Sequence, residues 1–296
     1  MEKDFYIKRI KNFLNRYETE RKSFSMIFPF LMSLFVFLRR LYRKLKNKFE
    51  KIAKTKQEYK KFINVRHQSV LMRKLGDVDM SLQKNKIKNL EIASKKLDQL
   101  VINPGEIFSF WEIVGCPSYK KGYLDGILIS RGKVKVGVGG GICQLGNLLY
   151  WMFLHTNVEI IERKHHSYDI FPDSGRVLPF SSGATLFYNY VDLKIKNTLD
   201  YPIQIKLWLD EKYLKGQILS DFPRQEKISV FEEFHSFVLY KNKFFRYNII
   251  KKSIKKDENI KIEEISENFC PVLYEITEKE ILEKGYKLIK IKKTDF

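Results

Sequence analysis

Between residues 137 and 144 the chain reads Gly137-Val138-Gly139-Gly140-Gly141-Ile142-Cys143-Gln144, a thiol and an amide set directly after three consecutive glycines. Glycine serves where backbone must turn sharply, adopt positive φ or come close to another group. A tight turn that delivers Cys143 to a helix start favours thiolate over thiol, because the helix N-terminus carries partial positive charge. Such a cysteine becomes a nucleophile when an imidazole lies within hydrogen-bond reach. His155 is excluded as that base, since it lies roughly 18 Å down the same helical run at ~1.5 Å per residue. His165 and His166 follow the next strand and point to opposite faces, so at most one of them meets the cysteine. Asp169, Asp173 and Asp192 are candidate orienting acids, and Gln144 is a candidate amide donor to an oxyanion. The catalytic set read from these residues is Cys143, His166, Asp173 and Gln144, with Gly139, Gly140 and Gly141 forming the turn.

Strand, glycine turn and helix is also the layout of nucleotide loops. The dinucleotide fingerprint starting at Gly137 fails, because its last glycine position holds Ile142. A phosphate loop needs Gly-Lys-Ser/Thr where this chain has Cys143-Gln144. The order of cysteine at a helix start and histidine on a strand is that of papain-like and transglutaminase-like enzymes, with a short Cys-to-His spacing of 22 or 23 residues. A second reading stays open beside it, a cysteine packed on glycines with a satisfied histidine nearby. Cys116, Cys143 and Cys270 are an odd number, widely spaced and without Cys-x-x-Cys, so neither a disulfide framework nor a zinc site is indicated. No metal and no cofactor is expected.

The elements that must hold this turn can be read from periodicity. Lys133–Val138 alternates lysine with valine, the pattern of a half-buried strand. From Gln144 to His155, Leu145, Leu148, Leu149, Met152 and Phe153 make an apolar helical face. Val158–Arg163 reads as a strand leading into His165-His166. Upstream, helices are predicted over Arg40–Lys61 and Gln83–Leu100, the second ended by Asn103-Pro104-Gly105. Ile107–Phe110 is a short apolar run, Gly122–Ile129 carries apolar residues between turn glycines, and Tyr188–Ile195 and Ile203–Leu209 read as strands. Ile228–Tyr240 and Phe244–Ile254 flank Lys241-Asn242-Lys243 as a long hairpin, followed by a lysine-rich stretch with alternating isoleucines.

The net charge is +20, and residues 1–64 hold 18 Lys/Arg against 6 Asp/Glu, a surplus of 12. That region is expected to meet something anionic, unless AT-rich coding alone has raised the lysine content. The apolar run Phe24–Leu38 is shorter than the ~20 residues a span requires. It also starts late and lacks a cleavage pattern, so it makes a poor signal peptide. Basic flanks at Arg21-Lys22 and at Arg39, Arg40, Arg43 and Lys44 suit a segment lying in the interface of an anionic bilayer; burial against the main domain is an equal option and a true span the least favoured one. The expected location is cytoplasmic or peripheral at the cytoplasmic membrane. Nucleotide is excluded as a partner, and nucleic acid is the less favoured one.

A series of motifs resembles the VanW family. They are Asn103-Pro104-Gly105-Glu106-x-Phe108-Ser109-Phe110, Val114-Gly115, Gly122-Tyr123, Gly139-Gly140-Gly141-Ile142-Cys143-Gln144 and Glu162-Arg163-x-x-His166-Ser167. The likeness runs from about Asn85 to Leu219, through Pro172-Asp173-Ser174-Gly175-Arg176, Gly183-Ala184-Thr185 and Asp192-Leu193. Pro29-Phe30-Leu31 with Arg39-Arg40 is similar to the short members. Many relatives continue Cys-Gln with Val-Ser-Thr-Thr, whereas this chain has Leu145-Gly146-Asn147-Leu148 and lacks those hydroxyls. The resemblance implies a role in the cell envelope or in glycopeptide resistance, with a cell-wall precursor or peptide as ligand. It implies no settled activity.

The expected architecture is α+β, a mixed or antiparallel sheet with a central helix after the glycine turn. Its parts are a basic, partly apolar helical extension over 1–64, a VanW-like domain over 65–220 and a hairpin-rich tail over 221–296. Three functions follow: an accessory envelope protein, a Cys-His acyl-transfer or amide-hydrolysing enzyme on peptide or peptidoglycan-stem bonds, or an anionic-membrane-surface binder.

Overall fold

The structure, a computed structural model, describes residues 2–19, 31–72, 80–130, 132–170, 172–173 and 177–296. The expectations for Arg21-Lys22, for Phe24 to Phe30 and for residues 174–176 lie outside the described residues. The described residues form an α+β fold of six α-helices and thirteen strands in four sheets.

Helix α1 spans Glu2–Thr19 and α2 spans Met32–Lys48. Strand β1 (Phe62–Val70) precedes helix α3 (Met80–Leu97), the short strands β2 (Val101–Ile102) and β3 (Ile107–Ser109), and helix α4 (Phe110–Val114). The hairpin of β4 (Asp125–Ser130) and β5 (Lys133–Val138) feeds the glycine turn and helix α5 (Cys143–Leu154). Strands β6 (Glu159–Glu162), β7 (Lys194–Lys196), β8 (Ile203–Leu209) and β9 (Tyr213–Ser220) complete the central part.

Helix α5 lies at the centre because nearly its whole circumference is apolar. Leu145, Leu148, Leu149, Met152 and Phe153 are all buried. It packs on an antiparallel sheet of order β1-β9-β8-β2. Gly216 of β9 permits that approach, since a Cβ there would lie 2.6 Å from Met152 Cε. Strand β1 escapes a reading by periodicity because, between the polar Asn64, Arg66 and Gln68, the inward positions after Val65 hold His67 and Ser69. Its pairing with β9, from Phe62 opposite Ser220 to Val70 opposite Tyr213, supplies what the pattern lacks.

Several elements differ from their sequence reading. The helix predicted over Arg40–Lys61 begins earlier, at Met32, and ends at Lys48. Beyond it the backbone is drawn into bonds with the next sheet, with Ala53 N–H donating to Ile107 O and Val101 N–H to Thr55 O, both at 2.9 Å. Of the strand expected over Tyr188–Ile195, only Lys194–Lys196 forms; Phe187–Val191 is a tight turn with Asn189 at φ 51°. In β5 the lysines and the first two valines are all exposed, so the outer part of the hairpin stands clear of the core and only Gly137 and Val138 at its base are half-buried.

Strands β10 (Lys227–Tyr240), β11 (Lys243–Lys256) and β12 (Asn259–Pro271) form an antiparallel meander. The turn at Lys241 and Asn242 has both residues at positive φ, as a two-residue hairpin loop requires. Helix α6 (Glu278–Glu283), with a Thr277/Glu280 capping box, leads to β13 (Lys287–Lys290), which runs parallel to β10. Residues 221–296 are thus a four-stranded sheet with its own core. Helix α1 covers that core, with Tyr6, Ile10 and Leu14 packed on Val238, Phe245, Tyr247 and Ile249. The basic extension expected over 1–64 is therefore not one unit: α1 belongs to the C-terminal sheet and α2 to the central part. Among the described residues no helix is long and apolar enough to cross a membrane.

Candidate functional site

Gly139 and Gly141 have φ of 76° and 89°, the left-handed region that disfavours side chains. Gly140 sits against the backbone of Gly126 in β4, where an added Cβ would fall 2.0 Å from the Gly126 carbonyl carbon. Helix α3 clamps the turn from outside. Asn89 donates from Nδ2 to the carbonyls of Gly140 and Leu124, both at 2.9 Å, and accepts from Leu124 N–H at 2.8 Å. Buried Lys86 lies along Gly141 and donates to Leu71 O at 2.5 Å. The consecutive glycines are required by two positive φ values and one backbone contact.

The start of α5 is closed. Ile142 accepts from Leu145 N–H at 2.9 Å and Gly146 N–H at 3.3 Å, and Gln144 N–H donates to Gly141 O at 3.0 Å. The amides of Gln144, Leu145 and Gly146 are thus engaged within the turn, while the Cys143 amide faces its own thiol. Cys143 directs its thiol to Leu186 O at 3.7 Å. Burial pushes the thiol pKa up, against the effect expected of a helix N-terminus. The Gln144 amide is committed as well. It donates to Ser69 Oγ at 2.9 Å and Val70 O at 2.8 Å, tying α5 to β1.

The remaining candidates find partners elsewhere. His166 Nδ1 lies 3.0 Å from Thr185 Oγ1, so Thr185 and Leu186 take up the two groups that were expected to pair with each other. His165 is lowered to about 4 by burial and by Arg163 and Lys164, and is neutral at pH 7. Asp173 does not orient a histidine; it accepts from the Arg246 guanidinium and from Tyr286 OH at 2.9 Å. Asp169 takes the other side of Arg246 at 3.1 Å and Tyr274 OH at 3.0 Å. Asp192 accepts from Ser109 Oγ at 2.6 Å, from Trp111 N–H at 3.1 Å and from Leu193 N–H at 2.9 Å. The Cys-His enzyme and its proposed Gln144 oxyanion donor gain no support from this geometry. Among the described residues no cluster of three His, Cys, Asp or Glu side chains could hold a metal.

Asn147 and Gly146 have work of their own. Asn147 Oδ1 accepts from Ala184 N–H at 2.8 Å, and Gly146 admits Leu186, whose Cδ1 lies 2.6 Å from where a Cβ would stand. Arg163 braces the same segment by donating to Gly183 O at 2.9 Å and to Ser181 O, with its guanidinium over the Tyr150 ring. These contacts, and those of Asn89 and Lys86, escape sequence reasoning. The available signal was the presence of Lys86 and Asn89 on the apolar side of a helix.

Of the cations expected to face an anionic surface, Arg43 does not. It is 7% exposed and forms a bidentate pair with Glu162 at 2.7 and 2.8 Å. Arg39 and Arg40 stack over Tyr190 and Tyr188, whereas Lys44 is exposed. A cleft of about 500 Å³ opens at the other end of α5, between His155, Tyr201, Phe222, Glu226 and Lys256.

Residues 85–219 match the family described as VanW like protein. Over 143 residues the chain is 41% identical to the "Vancomycin B-type resistance protein VanW" of Enterococcus faecalis (strain ATCC 700802 / V583), covering 48% of this chain and 52% of that protein. Residues 85–219 are VanW-like. A second relative, "Uncharacterized protein YoaR" of Bacillus subtilis (strain 168), is 30% identical over 126 residues, covering 43% of this chain and 40% of its own length. The matched part therefore spans about half or less of each of these relatives. No solved structure matches the chain. The glycine turn, Cys143, Gln144 and the segment that docks on them all lie within the VanW-like residues, whereas α1, α2 and the C-terminal sheet lie outside them.

Proposed function

We propose that this chain is an accessory, binding protein of the cell envelope, acting in the setting that the Enterococcus relative's name states, B-type vancomycin resistance. The likeness to that relative supports the setting. One observation carries the choice of binding over catalysis: the Cys143–Gln144 pair is spent on packing, the thiol on Leu186 O and the amide on Ser69 and Val70. A wall-derived peptide or precursor is the ligand class in keeping with this setting. The cleft beside His155 is a concave surface open to it.

The test combines labelling with complementation. In the native protein iodoacetamide is expected to modify exposed Cys116 first and half-buried Cys143 much more slowly, while buried Cys270 reacts only on unfolding. A Cys143→Ser variant is expected to keep wild-type vancomycin susceptibility in a host whose phenotype depends on the intact gene. A variant that folds with unchanged melting temperature but behaves like a deletion would sink the binding reading.

A further inference from the structure

Helix α2 is amphipathic with its apolar side outward. Val36, Arg40, Arg43 and Asn47, at spacings of four, three and four, form the face turned to the protein. Arg43 is paired with Glu162 and donates to Tyr190 O at 2.9 Å, while Asn47 bonds Glu112 at 2.6 Å and Lys194 at 2.5 Å. These buried polar contacts fix the rotation of the helix. The opposite stripe is Leu34, Leu38, Leu41 and Leu45, again at four, three and four, each between 45% and 50% exposed. Phe49 extends the stripe at 92% exposed, with Phe37 and Tyr42 beside it. A soluble helix normally turns its apolar face to the core; here the core-side contacts are ionic and the leucines are left outside.

We propose that this face of α2 docks on an anionic lipid surface, lying flat with its leucines at the headgroup–acyl boundary. The charge pattern decides the occupant. The helix holds six Lys/Arg and no carboxylate. Lys44 and Lys48 flank the leucine stripe on one side and Lys46 on the other, where long side chains can reach headgroups while the leucines go deeper. A protein partner would need an acidic rim on both sides of an apolar groove. A bilayer of anionic lipid offers the same pattern on a plane. The cations that meet the lipid are thus Lys44, Lys46 and Lys48, and the arginines expected to do so instead hold the helix to the protein.

Flotation of the full-length chain with vesicles tests this. Binding is expected to vesicles of phosphatidylcholine with phosphatidylglycerol, to weaken with added salt, and to be absent from phosphatidylcholine alone. Lys44→Gln/Lys46→Gln/Lys48→Gln is expected to weaken binding about 100-fold, from ~1 kcal/mol per cation near the surface. Leu38→Gln/Leu41→Gln should abolish it with thermal unfolding unchanged, since both side chains face out. Failure of the wild-type chain to float with anionic vesicles, or equal binding by the leucine variant, overturns the proposal. So does sedimentation without lipid that shows a wild-type dimer and a monomeric leucine variant, because a second copy would then cover the face.

Discussion

At the scale of residues, the three candidate acids separate into two that share a cation and one held by amides and a hydroxyl. Asp169 and Asp173 share Arg246, which is 1% exposed. Asp192 has amides and a hydroxyl for partners, and burial raises its carboxyl to about 6 in spite of them. The folded chain therefore holds this proton more tightly than the unfolded chain, whose value is 3.8. The stability it contributes is full below the unfolded value and is lost as pH rises through the folded one. Asp192→Asn cannot titrate. Denaturant unfolding at pH 4 and pH 7 is expected to show the wild type losing about 2 kcal/mol relative to the variant over that window. A wild-type-minus-variant difference independent of pH would count against this assignment.

At the scale of elements, the glycine turn is the joint of three pieces: the β4–β5 hairpin, α3 and α5. Gly140→Ala places a methyl on the Gly126 backbone, which has no flexible side chain to yield. The expected cost is about 3 kcal/mol or more, read as a fall in melting temperature. Asn89→Ala should cost less, about 1–3 kcal/mol, because it leaves Leu124 N–H and the Gly140 carbonyl without their partner but forces nothing apart. If Gly140→Ala proves neutral, the hairpin does not press on the turn. The same element view explains Cys143 and Gln144, which join α5 to the segment at Leu186 and to β1.

At the scale of the molecule, the C-terminal sheet is stapled to the central part and is no loose tail. Arg246 of β11 reaches Asp169 and Asp173, Asn248 donates to Phe180 O at 2.7 Å, and Leu273 N–H donates to Asp169 O at 2.8 Å. Arg246 is also enclosed by the rings of Phe180, Phe237 and Tyr286. Removing one partner of a buried pair leaves an uncompensated charge, so Arg246→Met is expected to destabilise by about 3–5 kcal/mol. Calorimetry should show the whole transition shifting, and a separate early transition confined to the C-terminal sheet would mean that the staple couples the parts weakly. Deleting residues 1–64 is a poor probe of membrane binding for a related reason, since it also strips Tyr6, Ile10 and Leu14 from the C-terminal core.

Local signals in the sequence carried much of this molecule. The apolar run after Gln144 can only be a buried helix, Ile203–Leu209 and Lys133–Val138 form strands with those bounds, and Lys241-Asn242 turns a hairpin. Each rests on neighbours within one element, where periodicity and turn chemistry act. The VanW signature was legible for the same reason, as an ordered set of short motifs. What the tertiary structure alone decided is what each reactive or charged group touches. Sequence spacing could bring Cys143 to a helix start but not reveal the Leu186 carbonyl, more than forty residues on, that receives its thiol. It could mark α2 as amphipathic but not say which face turns inward. Three polar contacts, from Arg43 and Asn47 to Glu162, Glu112 and Lys194, settle that choice and leave the leucines outside. Partners distant along the chain fix burial, and burial sets both the pKa of the thiol and the surface the helix presents.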